Sequence, residues 1–272
     1  MLDTDITALS RRAEHAATEY LVTRYGGPGN PMRTEILRLG EATATKVPFV
    51  PSADIMNTVH GLRDPAALPE LLAFYAQTEQ PCWVSVTATR GSEALLAALV
   101  EHGFVPTAHS AVLASSAWCA DAATVDGVEV RAVAKAQLTT FLEVLGRGFG
   151  TPESVLAATI DNQSFWGEVP QWRLLLACVH GEPAGAAVVA IDEGVAYLAA
   201  GSTLPAYRGQ GVHGALIAAR LRIAADEGCE LVTGQAAFGS SSHRNQQRAG
   251  LRLIDVRQTW AHPGVAGTAS AR

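Results

Sequence analysis

Between residues 204 and 217 the chain reads Leu-Pro-Ala-Tyr-Arg-Gly-Gln-Gly-Val-His-Gly-Ala-Leu-Ile, which places glycines at 209, 211 and 214 between an apolar strand and an amphipathic helix. This spacing supports the binding of a diphosphate. Glycines let the backbone approach an anion closely, and the unpaired N–H groups at a helix start point at the same place, together with the positive end of its dipole. Each charge-assisted hydrogen bond of this kind contributes ~1.5–3 kcal/mol, so a few of them anchor a diphosphate without any side-chain cation. Gly209-Gln-Gly211-Val-His-Gly214 also fits the GxGxxG of a dinucleotide site. That fold needs parallel strands and an acid at the tip of the next strand to hold the ribose. Here the tip is Gly234-Gln235, Glu230 sits at the other end, and the preceding strands read as a hairpin meander. There is no GxxxxGK[ST], and the only lysines, Lys46 and Lys135, are remote from the turn, so an NTP-hydrolysing loop is not supported either.

The elements that position the turn follow from hydrophobic periodicity. A strand is expected over 128–132, then a helix over 135–147 with Leu138, Phe141, Leu142 and Leu145 on one face, and a second helix over 152–163. Strands over 173–179, 184–191 and 195–203 are separated by His180-Gly-Glu-Pro183 and Asp192-Glu-Gly194, which is hairpin chemistry, so an antiparallel meander leads into the glycine turn. A helix over 212–227 follows, with Val212, Leu216, Ala219 and Ile223 inward and Gly228 at its stop. A strand over 231–235, a helix over 240–249 and a strand over 251–256 complete this half. The first half reads as a helix over 6–25, short runs at 35–39, 46–50 and 56–62, a helix over 65–77, a strand over 82–87, a helix over 92–102 and a strand after Gly103.

The residues around the turn resemble the GNAT superfamily of acyl-CoA-dependent N-acetyltransferases. The family motif of Arg or Gln, two residues, Gly, one residue, then Gly or Ala is matched by Arg208-Gly209-Gln210-Gly211-Val212-His213. Leu-Pro-Ala-Tyr207 precedes it, and a helix with Leu216 and Arg220 follows. His213 departs from the small residue usual at the sixth position, and Gly214 follows directly. The Gly-Glu-Pro-Ala-Gly turn at 181–185 and Ser242-His-Arg-Asn245 leading to Arg248-Ala-Gly250-Leu251 are also similar to the family. The resemblance implies an α+β fold of two GNAT-like domains, each a mixed, mostly antiparallel sheet flanked by helices. Residues 1–114 would form a degenerate copy without a CoA loop, 115–127 a linker, 128–260 the catalytic domain and 261–272 a disordered tail. In the first half the matching segment is Gly61-Leu-Arg-Asp64-Pro-Ala, where one glycine and a carboxylate stand in place of an amide cradle.

Carried onto this chain, the resemblance implies that the strand ending at Leu204 pairs edge-on with the pantetheine arm of acetyl-CoA. The amides of 209–214 would hold the pyrophosphate, with Asn245 fixing the arm or the thiol. A backbone N–H near Ala200 or Gly201 would polarise the thioester carbonyl as its oxygen gains charge, and an amine would attack directly. The acid often found on the central strand in this family is missing from 195–203, and its frequent Tyr general acid corresponds to Gln246. His243 is the local replacement as proton carrier, since imidazole titrates near neutrality; a solvent-exposed turn histidine is the commoner reading. Tyr197 is expected either to face the thioester or to belong to the core. Trp166 and Glu168 could line an acceptor pocket or anchor a surface loop, and Arg244 and Arg248 could meet the adenosine phosphate or form a solvated face.

Composition bounds the partners. A chain of 272 residues can bury two cores. A formal charge of −6 argues against nucleic acid and anionic membranes. Cys82, Cys119, Cys178 and Cys229 are too scattered for a zinc site or a disulfide framework. Arg11-Arg12 is followed by Ala-Glu-His rather than an apolar run, and no stretch has the ~20 apolar residues of a membrane span. The expected function is acetyl transfer from acetyl-CoA to a small-molecule or protein amine in the cytoplasm, with no metal. The alternatives are a catalytically silent CoA-binding or regulatory module and a transferase of a different acyl group.

Overall fold

Asp5 accepts a hydrogen bond from the Ala8 N–H at 3.0 Å and so caps the first helix, α1 (Ile6–Tyr25). This is a computed structural model, and it describes residues 5–30, 32–50, 53–77, 81–116 and 125–262. The fold is α+β, and the chain divides into two compact units that exchange at Ser110/Ala111 and Ile254/Asp255, both inside strands. The expected division at 115–127 and near 260 differs from this because neither strand is interrupted by turn residues where the chain changes unit. Most of the expected linker and nearly all of the tail lie outside the described residues.

The unit of residues 5–110 continues through β1 (Glu35–Leu39), β2 (Ala42–Lys46), β3 (Thr58–His60), α2 (Leu68–Ala76), β4 (Trp83–Thr87), α3 (Glu93–Glu101) and the first half of β5 (Val105–Ser115). The second strand lies at 42–46 rather than 46–50. Its alternation of Ala and Thr has little hydrophobic contrast, yet Ala42 and Ala44 pack into the core of this unit. β1, β2 and β3 pair antiparallel and β3 pairs parallel with β4, so β3–α2–β4 is a crossover unit.

The unit of residues 111–254 contains β6 (Val128–Ala132), α4 (Leu138–Phe149), α5 (Glu153–Gln163), β7 (Trp172–Val179), β8 (Glu182–Asp192), β9 (Val195–Leu198), β10 (Gly201–Thr203), α6 (Val212–Asp226), β11 (Leu231–Ala237) and α7 (Ser241–Arg248). The meander forms as expected. His180 and Gly181 both take positive φ, as do Glu193 and Gly194, which gives the two-residue turns whose twist suits hairpins. The single strand expected over 195–203 is two strands. β9 pairs with β8 on one side and parallel with β11 on the other, whereas among the described residues β10 pairs only with β8. Between Ala187–Ala190 of β8 and Tyr197–Gly201 opposite, three residues face two, which is a β-bulge. The strands part at this bulge, and β10 keeps a free edge.

The last strand, β12 (Arg252–Ala261), runs five residues past its expected end, and its second half pairs antiparallel with β4. α6 is buried on almost every side. Val212, Leu216 and Ala219 meet the β6–β8 face, while Ile217, Leu221 and Ala224 join a second cluster with Leu198, Val232 and Leu251. Among the described residues no helix is long and apolar enough to cross a membrane.

Candidate donor-binding site

The glycine turn opens onto a cavity of about 1100 Å³. One wall is β10, with Gly201, Ser202 and Thr203; the floor is the turn with Arg208, Gly209, Gly211, His213 and Gly214; the far wall is α7 with Asn245 and Arg248. Gly209 and Gly211 sit at φ of 80° and 79°, a conformation that L side chains rarely adopt, and Gly211 is the N-cap of α6. A Cβ on Gly211 would lie 2.6 Å from Val125 Cγ1, so packing demands glycine there as well. At Gly214 a Cβ would meet nothing within 4 Å, so this helical glycine leaves open space in front of the first turn of α6. Bare amides, a helix start and free volume together suit a pyrophosphate.

The side chains of the motif separate into those that face the cavity and those that do not. Arg208 lines it and donates to the Gly148 carbonyl at 3.3 Å. Gln210 turns back and donates to the Ala206 carbonyl at 3.2 Å. Val212 lines the cavity through its place in the turn, but its side chain is buried against Gly185 and the core, so its main chain is the part suited to a ligand. Leu204 donates its N–H to the Ala184 carbonyl at 2.9 Å and ends β10. His213 faces Asn245 across the cavity, Nδ1 to Nδ2 at 3.1 Å, and Asn245 Oδ1 accepts from Arg248 at 2.8 Å. Burial, and then the charge of Arg220, push the His213 imidazole down to about 4, so it is neutral at pH 7. Among the described residues lining the cavity there is no carboxylate.

His243, Tyr197 and Gln246 lie off the cavity. His243 is buried at the first turn of α7, where its Nδ1 accepts from the Gly239 N–H at 3.0 Å and its ring lies 5.1 Å from that of Phe238, so neither a solvated turn nor the cavity holds it. Tyr197 is on β9, on the opposite face from Ala196 and Leu198, and does not line the cavity. Gln246 is buried between α7 and β11 and donates to the Gln235 carbonyl at 3.3 Å. Trp166 is buried edge-on to Trp172, with ring centroids 5.1 Å apart, and lines a separate cavity of about 410 Å³; the loop-anchor reading of Trp166 fits this placement. Arg248 lines the donor cavity, while Arg244 donates to the Gly239 carbonyl at the foot of α7.

Two features escaped the sequence reading. Gly148 and Gly146 lie inside α4, where each costs ~1 kcal/mol against alanine. A Cβ on Gly148 would fall 2.3 Å from Ser202 Oγ, and one on Gly146 2.5 Å from Leu156 Cδ1. Gly148 lets α4 lie directly on β10, where Ser202 donates to the Leu145 carbonyl at 3.0 Å, and Gly146 lets α4 pack closely on α5. Gly-x-Gly inside an apolar helical pattern was the available signal. The second feature is the burial of Arg220, which the sequence shows only as an arginine in the helix after the motif.

Residues 140–245 match the family model described as "Acetyltransferase (GNAT) family". Comparison with curated proteins returns no match. Among solved structures, the chain is similar to a GCN5-related N-acetyltransferase from Kribbella flavida, at 19% identity over 92% of this chain and 95% of that one, with a TM-score of 0.67. A tandem GNAT protein from the clavulanic acid biosynthesis pathway gives 13% identity over 90% and 86% of the two chains, with a TM-score of 0.61. A GCN5-related N-acetyltransferase from Sphaerobacter thermophilus gives 17% over 83% and 81%, with a TM-score of 0.58. Identities this low speak for a shared fold.

Proposed function

Because residues 140–245 belong to the acetyltransferase (GNAT) family and the protein is an acyl-CoA-dependent N-acyltransferase, we propose that it transfers an acetyl group from acetyl-CoA to a primary amine by direct attack. The carrying observation is the pair of positive-φ glycines at the start of α6, facing a cavity whose opposite wall is the free edge of β10. Ala200 and Leu204 bond to β8, the former accepting from the Val188 N–H at 2.8 Å. By strand alternation the main-chain groups of Gly201 and Thr203 then face the cavity that both residues line. We assign the pantetheine arm to this edge and the pyrophosphate to the amides of 209–214. Asn245 and Arg248 lie beside the arm and the phosphates. The Gly201 N–H donates to the thioester oxygen as it gains charge. The amine nitrogen bonds to the carbonyl carbon, the C–S bond breaks and CoA leaves as the thiolate, which takes up the proton that the nitrogen sheds.

The cavity shapes the choice of amine. With no described carboxylate lining it and His213 a weak base, the amine must arrive neutral. At pH 7 an α-amine of pKa ~7.7–8.0 is neutral about a tenth of the time and a lysine near 10.4 about once in a few thousand. The arrangement therefore favours weakly basic amines. His243 ties the Gly239 N–H to the first turn of α7 rather than carrying a proton, and its replacement by Ala is expected to lower stability by about 1 kcal/mol while leaving turnover intact. Buried free thiols at Cys82, Cys178 and Cys229 suit a reducing cytoplasm.

The unit of residues 5–110 is read as a degenerate copy that binds no CoA. Asp64 accepts from the Ala66 N–H at 2.9 Å and places a carboxylate at the helix start where a phosphate would sit. A Cβ on Gly61 would lie 2.4 Å from the Glu41 carbonyl oxygen, so that glycine serves packing. Thiol release from acetyl-CoA across amines of graded pKa tests the assignment. Release with weakly basic amines, exceeding that with propionyl- or succinyl-CoA, is expected; binding of acetyl-CoA with no release for any amine would return the silent-module reading.

A further inference from the structure

Arg220 is buried in the middle of α6, and a buried charge persists only where its surroundings satisfy it. Its Nε donates to the Leu216 carbonyl one turn back at 3.0 Å. Its Nη1 reaches out of the helix to two carbonyls, Ala199 at 3.3 Å and Val188 at 3.4 Å. These two acceptors lie on either side of the bulge where β9 gives way to β10 and the ladder to β8 is interrupted. The guanidinium takes up carbonyls that regular pairing would satisfy, which only a planar multi-donor group can do from one position. It also touches the residue that follows: a Cβ on Gly201 would lie 3.3 Å from Nη2 and 3.5 Å from Nη1. The cation therefore packs directly under the cavity-lining Gly201.

From this geometry we propose that Arg220 is the positioning residue for acyl transfer, clamping the β9–β10 bulge so that the Gly201 N–H is aimed at the thioester oxygen. The inference rests on the acetyl-transfer reading above. Two consequences follow from the clamp. Losing the guanidinium frees the Ala199 carbonyl and lets Gly201 rotate, so the amide no longer meets the oxygen at the angle that strengthens with its charge. The phosphate cradle, anchored by the first turn of α6 and the glycines before it, stays in place. Removal of Arg220 should therefore separate affinity from chemistry.

The test uses acetyl-CoA carrying ¹³C at the thioester carbonyl, bound to full-length wild-type protein, Arg220→Lys, Arg220→Met and Gly201→Ala, with the carbonyl stretch read by infrared difference spectroscopy. In the wild type the bound carbonyl should absorb at lower frequency than in free acetyl-CoA. In Arg220→Met it should return towards the free value while the dissociation constant changes by less than about threefold. Arg220→Lys, with charge but no fork, should lie between. Gly201→Ala keeps Arg220 but presses a methyl group onto the guanidinium, so it should lose the shift as well and stands in if Arg220→Met does not fold. With a reactive amine, kcat should fall about 10- to 100-fold, somewhat less than for deletion of a direct oxyanion donor, with KM for acetyl-CoA nearly unchanged. Wild-type carbonyl frequencies in the folded variants would overturn the role of Arg220 and leave the co-substrate assignment standing. A wild-type protein that binds no acetyl-CoA would overturn both.

Discussion

His213 shows how far a residue's surroundings can move it from its usual role. Placed after the second glycine of the turn, it would ordinarily titrate near neutrality, but burial and then Arg220 hold it at about 4. His60, in the other unit, is pushed down to about 3 by burial and then by Arg257. A base with a lower folded than unfolded pKa binds fewer protons when folded, so its contribution to stability is complete above the unfolded value of about 6.5 and is lost as pH falls towards the folded value. Thermal stability should therefore drop between pH 6.5 and 4, and His60→Leu should flatten that drop; an unchanged pH profile in this variant would contradict the assignment. For catalysis, log kcat/KM should climb with unit slope to the acceptor's own pKa with no inflection near 6.5, as a pH series with one amine would show. At this scale the sequence marked the cradle glycines, because a positive φ at a helix start has few other solutions. It offered His243 as a proton carrier without showing the bond from the Gly239 N–H, which depends on how the loop closes and has no local signature.

Among the elements, the two hairpins were legible from their turn residues, whereas the break between β9 and β10 was not, since Val-Ala-Tyr-Leu-Ala-Ala-Gly-Ser-Thr carries no punctuation. The break is visible only through partners: β11 on one side of β9, β8 alone beside β10, and Arg220 between. Two glycine substitutions separate cavity geometry from helix propensity. Gly148→Ala gains ~1 kcal/mol of propensity but drives a methyl group to 2.3 Å from Ser202 Oγ. Overpacking of that kind costs ~1–3 kcal/mol, so a lower melting temperature and weaker acetyl-CoA binding are expected. Gly214→Glu gains similar propensity in open space and should leave the melting temperature level or higher. Thermal denaturation of the two variants side by side checks the contrast, and equal destabilisation would count against the assigned geometry.

Across the whole molecule, one connectivity occurs twice: strand, turn, helix, parallel strand, helix, in β3–α2–β4–α3 and again in β9/β10–α6–β11–α7. The turn carries bare amides in one copy and Asp64 in the other. The net charge of −6 does not carry over to the donor cavity, which is lined by Arg208 and Arg248 and by no described carboxylate. Two units were legible from length and from the repeated pattern. Their exchange within β5 and β12 was not, because a strand that changes unit keeps the same alternation throughout. The central claim is a single donor cradle per chain at the start of α6. Calorimetric titration of acetyl-CoA into the wild type and Gly214→Glu tests it most directly. One site per chain is expected in the wild type, and at least a hundredfold weaker binding when a carboxylate faces the pyrophosphate in a protein that still melts normally. Two sites per chain, or undiminished binding by Gly214→Glu, would contradict it.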